Sequence, residues 1–337
     1  MAIALQTISS RLTPRLDGMD VLSDVLAALR TGRPHAARTQ AEAPWGIRFP
    51  PSDSAGCHVL LEGSCWLIPA RGEPIQLAVG DVVFVPHGTG YALADRPGSP
   101  LVDFQVDADD AAVVEEMTLD GTGTTTRLLC AAYYFDRASS HPLLDELPEV
   151  VHLPLRLGQH ASLRAAVDLL GAELSEPRAG TSAILSGLVD MLLLFVLRGW
   201  FDEQVARSAR PDVAGSASPA GWASVLGDPA LTAALHGIHA RPEHPWTVSE
   251  LAALSGLSRA TFAKRFAGAV GRSPLAYLTW WRMTLAARRL RDSDDPLRTI
   301  ATRTGYATEF ALAKAFKREY GVAPGQYRRQ SSELLPA

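Results

Sequence analysis

The C-terminal third of the chain carries one pattern twice, and that repetition constrains the fold more than any other feature. In the first copy Trp246-Thr-Val-Ser249 opens a helix. Thr247 suits an N-cap, and Glu250 sits three residues on, the spacing of a capping box. Val248, Leu251, Ala252 and Leu254 supply the inward face. Gly256-Leu257-Ser258 is the turn: Gly allows left-handed backbone, Leu257 fills the angle between helices, and Ser258 caps the next helix. That helix runs from Arg259 to about Ala269, with Phe262 and Phe266 inside and Arg259, Ala260, Ala263 and Lys264 outside. In the second copy Leu297, Ile300 and Ala301 face inward, and the turn Gly305-Tyr306-Ala307-Thr308 is one residue longer. A helix from Glu309 to Tyr320 then puts Leu312 and Phe316 inside and Glu309, Phe310, Ala313 and Lys314 outside. A longer helix, Pro274 to about Leu290, joins the two helix-turn-helix units.

A recognition helix fits the major groove of DNA, where its outward side chains reach base edges. A single such pattern is also that of an ordinary helical hairpin; two copies with matching turn chemistry argue for groove reading. Charge agrees. Residues 240–330 hold 16 Lys and Arg against 7 Asp and Glu, a net of +9, within a chain of net −4. A basic segment on an acidic body is expected where one domain meets phosphates and the other does not. A purely structural adaptor would not need basic residues outward on both helices.

Residues 228–329 resemble the C-terminal domain of AraC/XylS regulators. The resemblance is carried by WTVSELAALSGLSRATFAKRF (246–266), GRSPLAYLTWWRM (271–283) and IATRTGYATEFALAKAFKREYGVAPGQYRR (300–329). It implies seven helices, binding to asymmetric half-sites of a double-stranded DNA operator, and action as a transcription activator or repressor; an activator that works with RNA polymerase is the expectation. The family's base-reading positions fall on Ala260, Ala263 and Lys264, then on Glu309, Phe310, Ala313 and Lys314. Two departures stand out. Leu312 takes the place of the usual Phe, and Lys264 and Lys314 replace an Arg whose bidentate fork reads guanine. Phe310 lies about 200° around its helix from Leu312. It either packs partly against a neighbouring helix or offers its ring to thymine methyl groups.

Ahead of this domain the periodicity changes. Asp20 to Arg30 reads as an amphipathic helix. From about Trp45 to Phe135, short runs such as His58-Val-Leu-Leu61 and Val82-Val-Phe-Val85 alternate with Gly, Pro and Asp, the punctuation of an antiparallel barrel or sandwich. The block 57–95 resembles a cupin barrel, of the AraC branch that includes reactive-chlorine sensors, as do TRLLCAAYYFD (126–136) and HPLLDELPEVVHL (141–153). Gly80-Asp81 is a tight turn and Pro86-His87-Gly88 a bend. Tyr91 stands where cupin enzymes place a metal-binding His, and His58 lies too close to Gly63 for the other ligand cluster. Two isolated groups do not make a metal site. No metal, cofactor or catalysis is expected, and a cupin enzyme fused to a DNA-binding tail is the weaker reading. His58 and Tyr91 remain effector candidates.

Cys57, Cys65 and Cys130 form no C-x-x-C. They are either small core hydrophobes or thiol sensors of an oxidant; the resemblance to chlorine sensors speaks for the second, but the N-terminal redox cysteine of that branch has no counterpart before Cys57, and only Cys130 matches a cysteine of the branch. A hairpin closed at Glu62-Gly63 would set Cys65 opposite Leu60 and Cys57 opposite Ile68, too far apart for a disulfide. The effector is accordingly a small organic molecule or an oxidant.

Two helices follow, Leu163 to Leu174 and Thr181 to Glu203, the second apolar around much of its circumference. It is either a core helix or one shared with the partner of a homodimer. Its most apolar run, Met191 to Leu197, is too short to span a bilayer. The N-terminus has no signal-peptide pattern, so a cytoplasmic location is expected. The chain is thus read as α+β: a cupin-like sensor over 1–158 with residues 1–20 loosely ordered, a helical dimerisation segment over 159–205, a flexible linker over 206–223, and the all-α double helix-turn-helix domain over 224–330.

Overall fold

Runs such as Val82-Val-Phe-Val85 put apolar residues on both sides of a strand, and such strands need cover on both faces. The computed structural model, which describes residues 21–32, 34–104, 114–136, 141–154, 160–208 and 221–333, shows what covers them. The linker stretch 209–220 and residues 1–20 lie outside the described residues. One sheet runs in the order β11 (Val151–Leu153), β6 (Val82–Val85), β3 (Ser54–Glu62), β10 (Thr125–Tyr134), β1 (His35–Glu42), β9 (Val114–Leu119). The second runs β5 (Ile75–Leu77), β4 (Cys65–Pro69), β7 (Tyr91–Ala94), β2 (Gly46–Phe49), β8 (Val102–Asp103). Leu60, Val83, Val85, Leu128 and Cys130 of the first sheet meet Ile47, Leu67, Leu77 and Leu93 of the second between them.

The expected hairpin at Glu62-Gly63 does not form. β3 pairs with β10 and β6, whereas β4 pairs with β5 and β7, so the chain changes sheet at Gly63. Cys57 lies opposite Ala131 and Phe84, and Cys65 opposite Leu77. The physical reason is the corner itself. Gly63 takes φ 82°, a Cβ there would come within 2.6 Å of the Thr125 carbonyl, and Thr126 Oγ1 donates to Ser64 O at 3.2 Å. The turn glycine serves a crossing between sheets.

The outer face of the first sheet is covered by helices: α1 (Val21–Leu29), the single turn α2 (Pro142–Asp145), α3 (Ala161–Ser175) and α4 (Thr181–Ser208). Cys57, Val59, Phe84, Leu129 and Tyr133 pack there with Leu163, Leu170, Leu192 and Val196. Tyr133 donates its hydroxyl proton to Val189 O at 2.6 Å, anchoring α4. By length and apolar content alone α4 could cross a membrane, and 56% of its apolar window is buried in the fold. It extends five residues past the expected end at Glu203.

After α5 (Trp222–Leu226), whose span contains the expected domain boundary at 224, seven helices follow among the described residues, as the resemblance implied. They are α6 (Pro229–Ala240), α7 (Val248–Leu254), α8 (Arg259–Val270), α9 (Pro274–Asp292), α10 (Leu297–Arg303), α11 (Glu309–Tyr320) and α12 (Pro324–Glu333). The core behind the first sheet continues into them through Trp222, Leu235, Phe262, Phe266, Tyr277, Trp280 and Trp281. A separate core holds Met283, Ala286, Leu290, Ile300, Leu312, Phe316 and Tyr320. Helix α9 passes from one to the other between Trp281 and Met283.

The ionisable groups buried at this junction are paired, whereas the indole N–H groups of Trp222, Trp280 and Trp281 have no hydrogen-bond partner among the described residues. Arg291 on α9 and Tyr327 on α12 both reach Asp136 beyond β10, at 2.9 and 2.7 Å, and the Arg291 and Asp136 side chains are only 6% and 8% exposed. A second chain of bonds runs from α2 to α1. Leu143 N–H donates to His141 Nδ1 at 2.9 Å, so in a neutral ring the proton sits on Nε2, which faces the Tyr277 hydroxyl oxygen at 3.4 Å. That hydroxyl donates to His239 Nε2 at 2.8 Å, leaving His239 Nδ1–H to donate to Asp24 at 3.2 Å. One tautomer of each ring satisfies every member.

Burial pushes both histidines below their ordinary range; His239 and Arg272 add to this for His141, and at His239 the opposing pull of Asp24 only moderates it. Both rings are therefore neutral when folded, and the unfolded chain binds more protons once pH falls below about 6.5. This contribution to stability is fully present above that value and is lost as pH falls from there towards the depressed folded values. Urea unfolding between about pH 7 and 5, above the usual carboxylate range, should show a falling midpoint; a flat midpoint would contradict the neutral relay.

Candidate nucleic-acid interface

The first unit is built as its sequence suggests. Thr247 caps α7: its Oγ1 accepts from Glu250 N–H at 3.2 Å, while the Glu250 carboxylate accepts from Thr247 N–H at 2.8 Å. These bonds hold the Glu250 carboxyl below its usual range. Gly256 takes φ 64° in the turn, Leu257 is half-buried against the core, and Ser258 Oγ accepts from Thr261 N–H to cap α8. Phe262 and Phe266 are fully buried, whereas Arg259, Ala260 and Lys264 are exposed and Ala263 is half-exposed. Leu254 departs from expectation. It is exposed, because it sits at the edge of α7 with Cδ1 over Gly237 of α6 rather than beneath the unit.

The second unit repeats the plan. Thr308 caps α11 by accepting from Ala311 N–H at 3.1 Å, and Leu312 and Phe316 are buried. Lys314 is exposed, Glu309 and Ala313 are half-exposed, and Phe310 is 78% exposed. The ring of Phe310 is thus not packed against the connector or the preceding helix.

The basic residues divide into two groups. Arg265 pairs with Asp228, Arg272 with Glu319, Arg289 with Asp295 and Arg291 with Asp136, so these cations serve the fold. Among the described residues, Arg259 and Lys264 on α8 and Lys314 and Lys317 on α11 make no such ion pair. Both recognition helices therefore present unneutralised positive charge on their outward faces, together with small side chains and one bare aromatic ring.

The barrel candidates lie elsewhere. His58 Nε2 and the Tyr91 hydroxyl are hydrogen-bonded to each other, with Phe49 stacked on Tyr91 at 4.8 Å between ring centroids. Burial lowers the His58 pKa to about 3, so the ring stays neutral. Among the described residues no three His, Cys, Asp or Glu side chains gather as a metal site would require. Alternation along β3 and β10 sends Cys57 to the helical side of the sheet and Cys130 into the barrel, where Cys65 also lies. All three thiols are buried and free. Burial raises Cys57 far above its ordinary range and pushes Cys65 and Cys130 up to about 12, with only the Thr39 hydroxyl at 3.6 Å pulling Cys130 back. A cleft of about 410 Å³ lies outside the barrel, between β3, β10 and α3, with Arg38, Arg127, Arg164, Leu61 and Leu174 among its lining residues. Nothing in the sequence pointed to it, since its walls come from distant segments.

Comparison with known proteins gives a matching picture. A cupin family model matches residues 20–202 and a helix-turn-helix domain model matches residues 251–330. A putative AraC-like transcription regulator of Streptomyces antibioticus is 33% identical over 92% of this chain and 99% of its own length. The RCS-specific transcriptional activator RclR of Escherichia coli is 30% identical over 83% of this chain and 86% of its own. Among solved structures, the DNA-binding domain of AdpA in complex with a target DNA is 32% identical, covering 32% of this chain and 97% of that one, with a TM-score of 0.31.

Thiols so placed are poor nucleophiles, because the thiolate is the reactive form. The native protein at about pH 8, just below the free-thiol range, should give no fast reaction with an aromatic disulfide reagent, and all three cysteines should react in urea. Rapid modification of any one of them in the native state would show that burial does not protect it.

Proposed function

This chain belongs to the AraC-like transcription regulators and is a DNA-binding regulator of that type; from that premise we propose how its parts are used. Helices α8 and α11 enter major grooves, reading bases through Ala260, Ala263 and Lys264 and through Glu309, Phe310, Ala313 and Lys314, with Arg259 beside them. The observation that carries this reading is the pair of outward faces, free of ion pairs at Lys264 and Lys314 and open around Phe310. The protein works in the cytoplasm as an activator that contacts RNA polymerase. The cupin barrel is a sensor and not a catalyst: His58 and Tyr91, its most enzyme-like pair, are bonded to each other. Burial of the three thiols favours a small organic effector over thiol oxidation.

A homodimer forms through α4. Ile184, Met191 and Val205 are 47%, 42% and 43% exposed and lie seven and fourteen residues apart, with Leu194 and Phe195 half-buried between them. That spacing sets them along one face of the helix, with the exposed Arg198 at the heptad position between Met191 and Val205, and a two-fold pair is the commonest way to cover such a face. Sedimentation of the full chain should give a dimer at micromolar concentration, and Met191→Glu a monomer. A monomeric wild type would refute this assignment of α4.

Footprinting on the DNA flanking the protein's own gene tests the central reading. Lys264→Ala and Lys314→Ala should each weaken operator binding by about 1–3 kcal/mol, acting on different parts of the site. Phe310→Ala should leave the melting temperature nearly unchanged and cost about 1 kcal/mol or more of affinity. That loss should shrink when the contacted thymine is replaced by uracil, which lacks the methyl. Wild-type behaviour of both lysine variants across a set of operator variants would displace the recognition helices from the groove.

A further inference from the structure

Gly256 and Gly305 hold equivalent places in the two turns, and both take positive φ, 64° and 77°. Only one of them is crowded. A Cβ on Gly256 would meet nothing within 4 Å, whereas a Cβ on Gly305 would lie 2.7 Å from an Arg282 guanidinium nitrogen and 2.9 Å from Glu243 Cα. Backbone conformation accounts for a glycine at either turn. The approach of Arg282 and Glu243 concerns the second turn alone.

Arg282 stands where α9 leaves one core for the other, between Trp281 and Met283. Its Nε donates to Pro242 O at 2.6 Å and its Nη2 to His244 O at 2.8 Å, both in the loop between α6 and α7 of the first unit. Its guanidinium carbon is 6.0 Å from the ring centroid of Tyr306, in the turn of the second unit. One planar fork thus grips the backbone of the first unit while its other side seats the turn of the second. Lys, with a single ammonium, cannot reproduce that geometry. Arg272 and Glu319 also bridge the units, but at 3.9 Å and partly open to solvent, a single long contact without the fork's two bonds.

We propose that Arg282, seated against Gly305, is a positioning residue that sets the angle and distance between the recognition helices α8 and α11, and so the base-pair spacing of the half-sites the protein accepts. The inference rests on the reading that both helices contact DNA. Two linked reading heads bind cooperatively only while their geometry matches the spacing of their targets. Loosening the clamp leaves each head intact and spoils the match.

The test uses the full chain and a duplex selected by the wild type from a random library, together with versions that have either half scrambled or one or two base pairs inserted between the halves. Wild type should lose about tenfold or more in affinity on insertion. Arg282→Gln and Gly305→Ala should bind the intact duplex about tenfold more weakly and respond much less to insertion, with half-scrambled duplexes bound as by wild type. Arg282→Lys should fall between. Gly256→Ala carries the same φ strain without the contact and should keep the wild-type response to insertion. Circular dichroism checks that each variant folds, and the Arg282 variants carry the test if Gly305→Ala does not. The proposal is overturned if Arg282→Gln keeps the wild-type insertion response, or if its affinity for one half-site falls as much as for the whole. Failure of the wild type to select any duplex would instead remove the DNA reading itself, and the clamp with it.

Discussion

Helix α9 takes part in two hydrophobic cores at once, and the arrangement of the molecule depends on that. Its first half buries Tyr277, Trp280 and Trp281 in the core that begins behind the barrel sheet; its second half buries Met283, Ala286 and Leu290 in the core of the second unit. A helix is stiff over this length, so the two reading heads are held on one rod rather than on a loop. Aromatic side chains bury large areas each, which is why a sensor and a DNA-binding unit merge here into a common interior.

The polar connections follow the same line. Arg30, at the end of α1, pairs with Asp190 on α4, and its carbonyl accepts from Arg291 on α9. Arg291 and Tyr327 share Asp136. The proposed dimer helix, the barrel edge and the second reading unit are therefore linked through a partly exposed pair, Arg30–Asp190, and a buried one, Arg291–Asp136. Breaking a buried pair is costly, which resists separation at this junction. The neutral relay of His141, Tyr277 and His239 adds the same constraint on the side of the first unit.

Much of the reading apparatus was legible in the sequence because its cause is local. Capping by Thr247, Ser258 and Thr308, positive φ at Gly256 and Gly305, and apolar residues four apart at Phe262 and Phe266 each depend on neighbours within a few positions. The cupin barrel was legible as strands and turns but not as pairings. Gly63 looks the same whether it closes a hairpin or carries the chain between sheets, and the choice is made by β10, more than sixty residues away. Leu254 was misplaced for a related reason: its helix has a neighbour, α6, whose position the periodicity of α7 cannot reveal.

By itself the sequence determined the elements, their order and the outward faces of α8 and α11, since helical period, caps and turn glycines act within a few residues. The tertiary structure alone decided which cations are committed to ion pairs within the fold and which are not, because ion pairing joins Arg265 to Asp228 and Arg291 to Asp136 across long stretches of chain. It decided that the thiols are shielded, since alternation sets the face of a strand but not what covers it. It also decided that Gly305 is more than a turn residue: contact between two units arises only once both have folded onto the same helix.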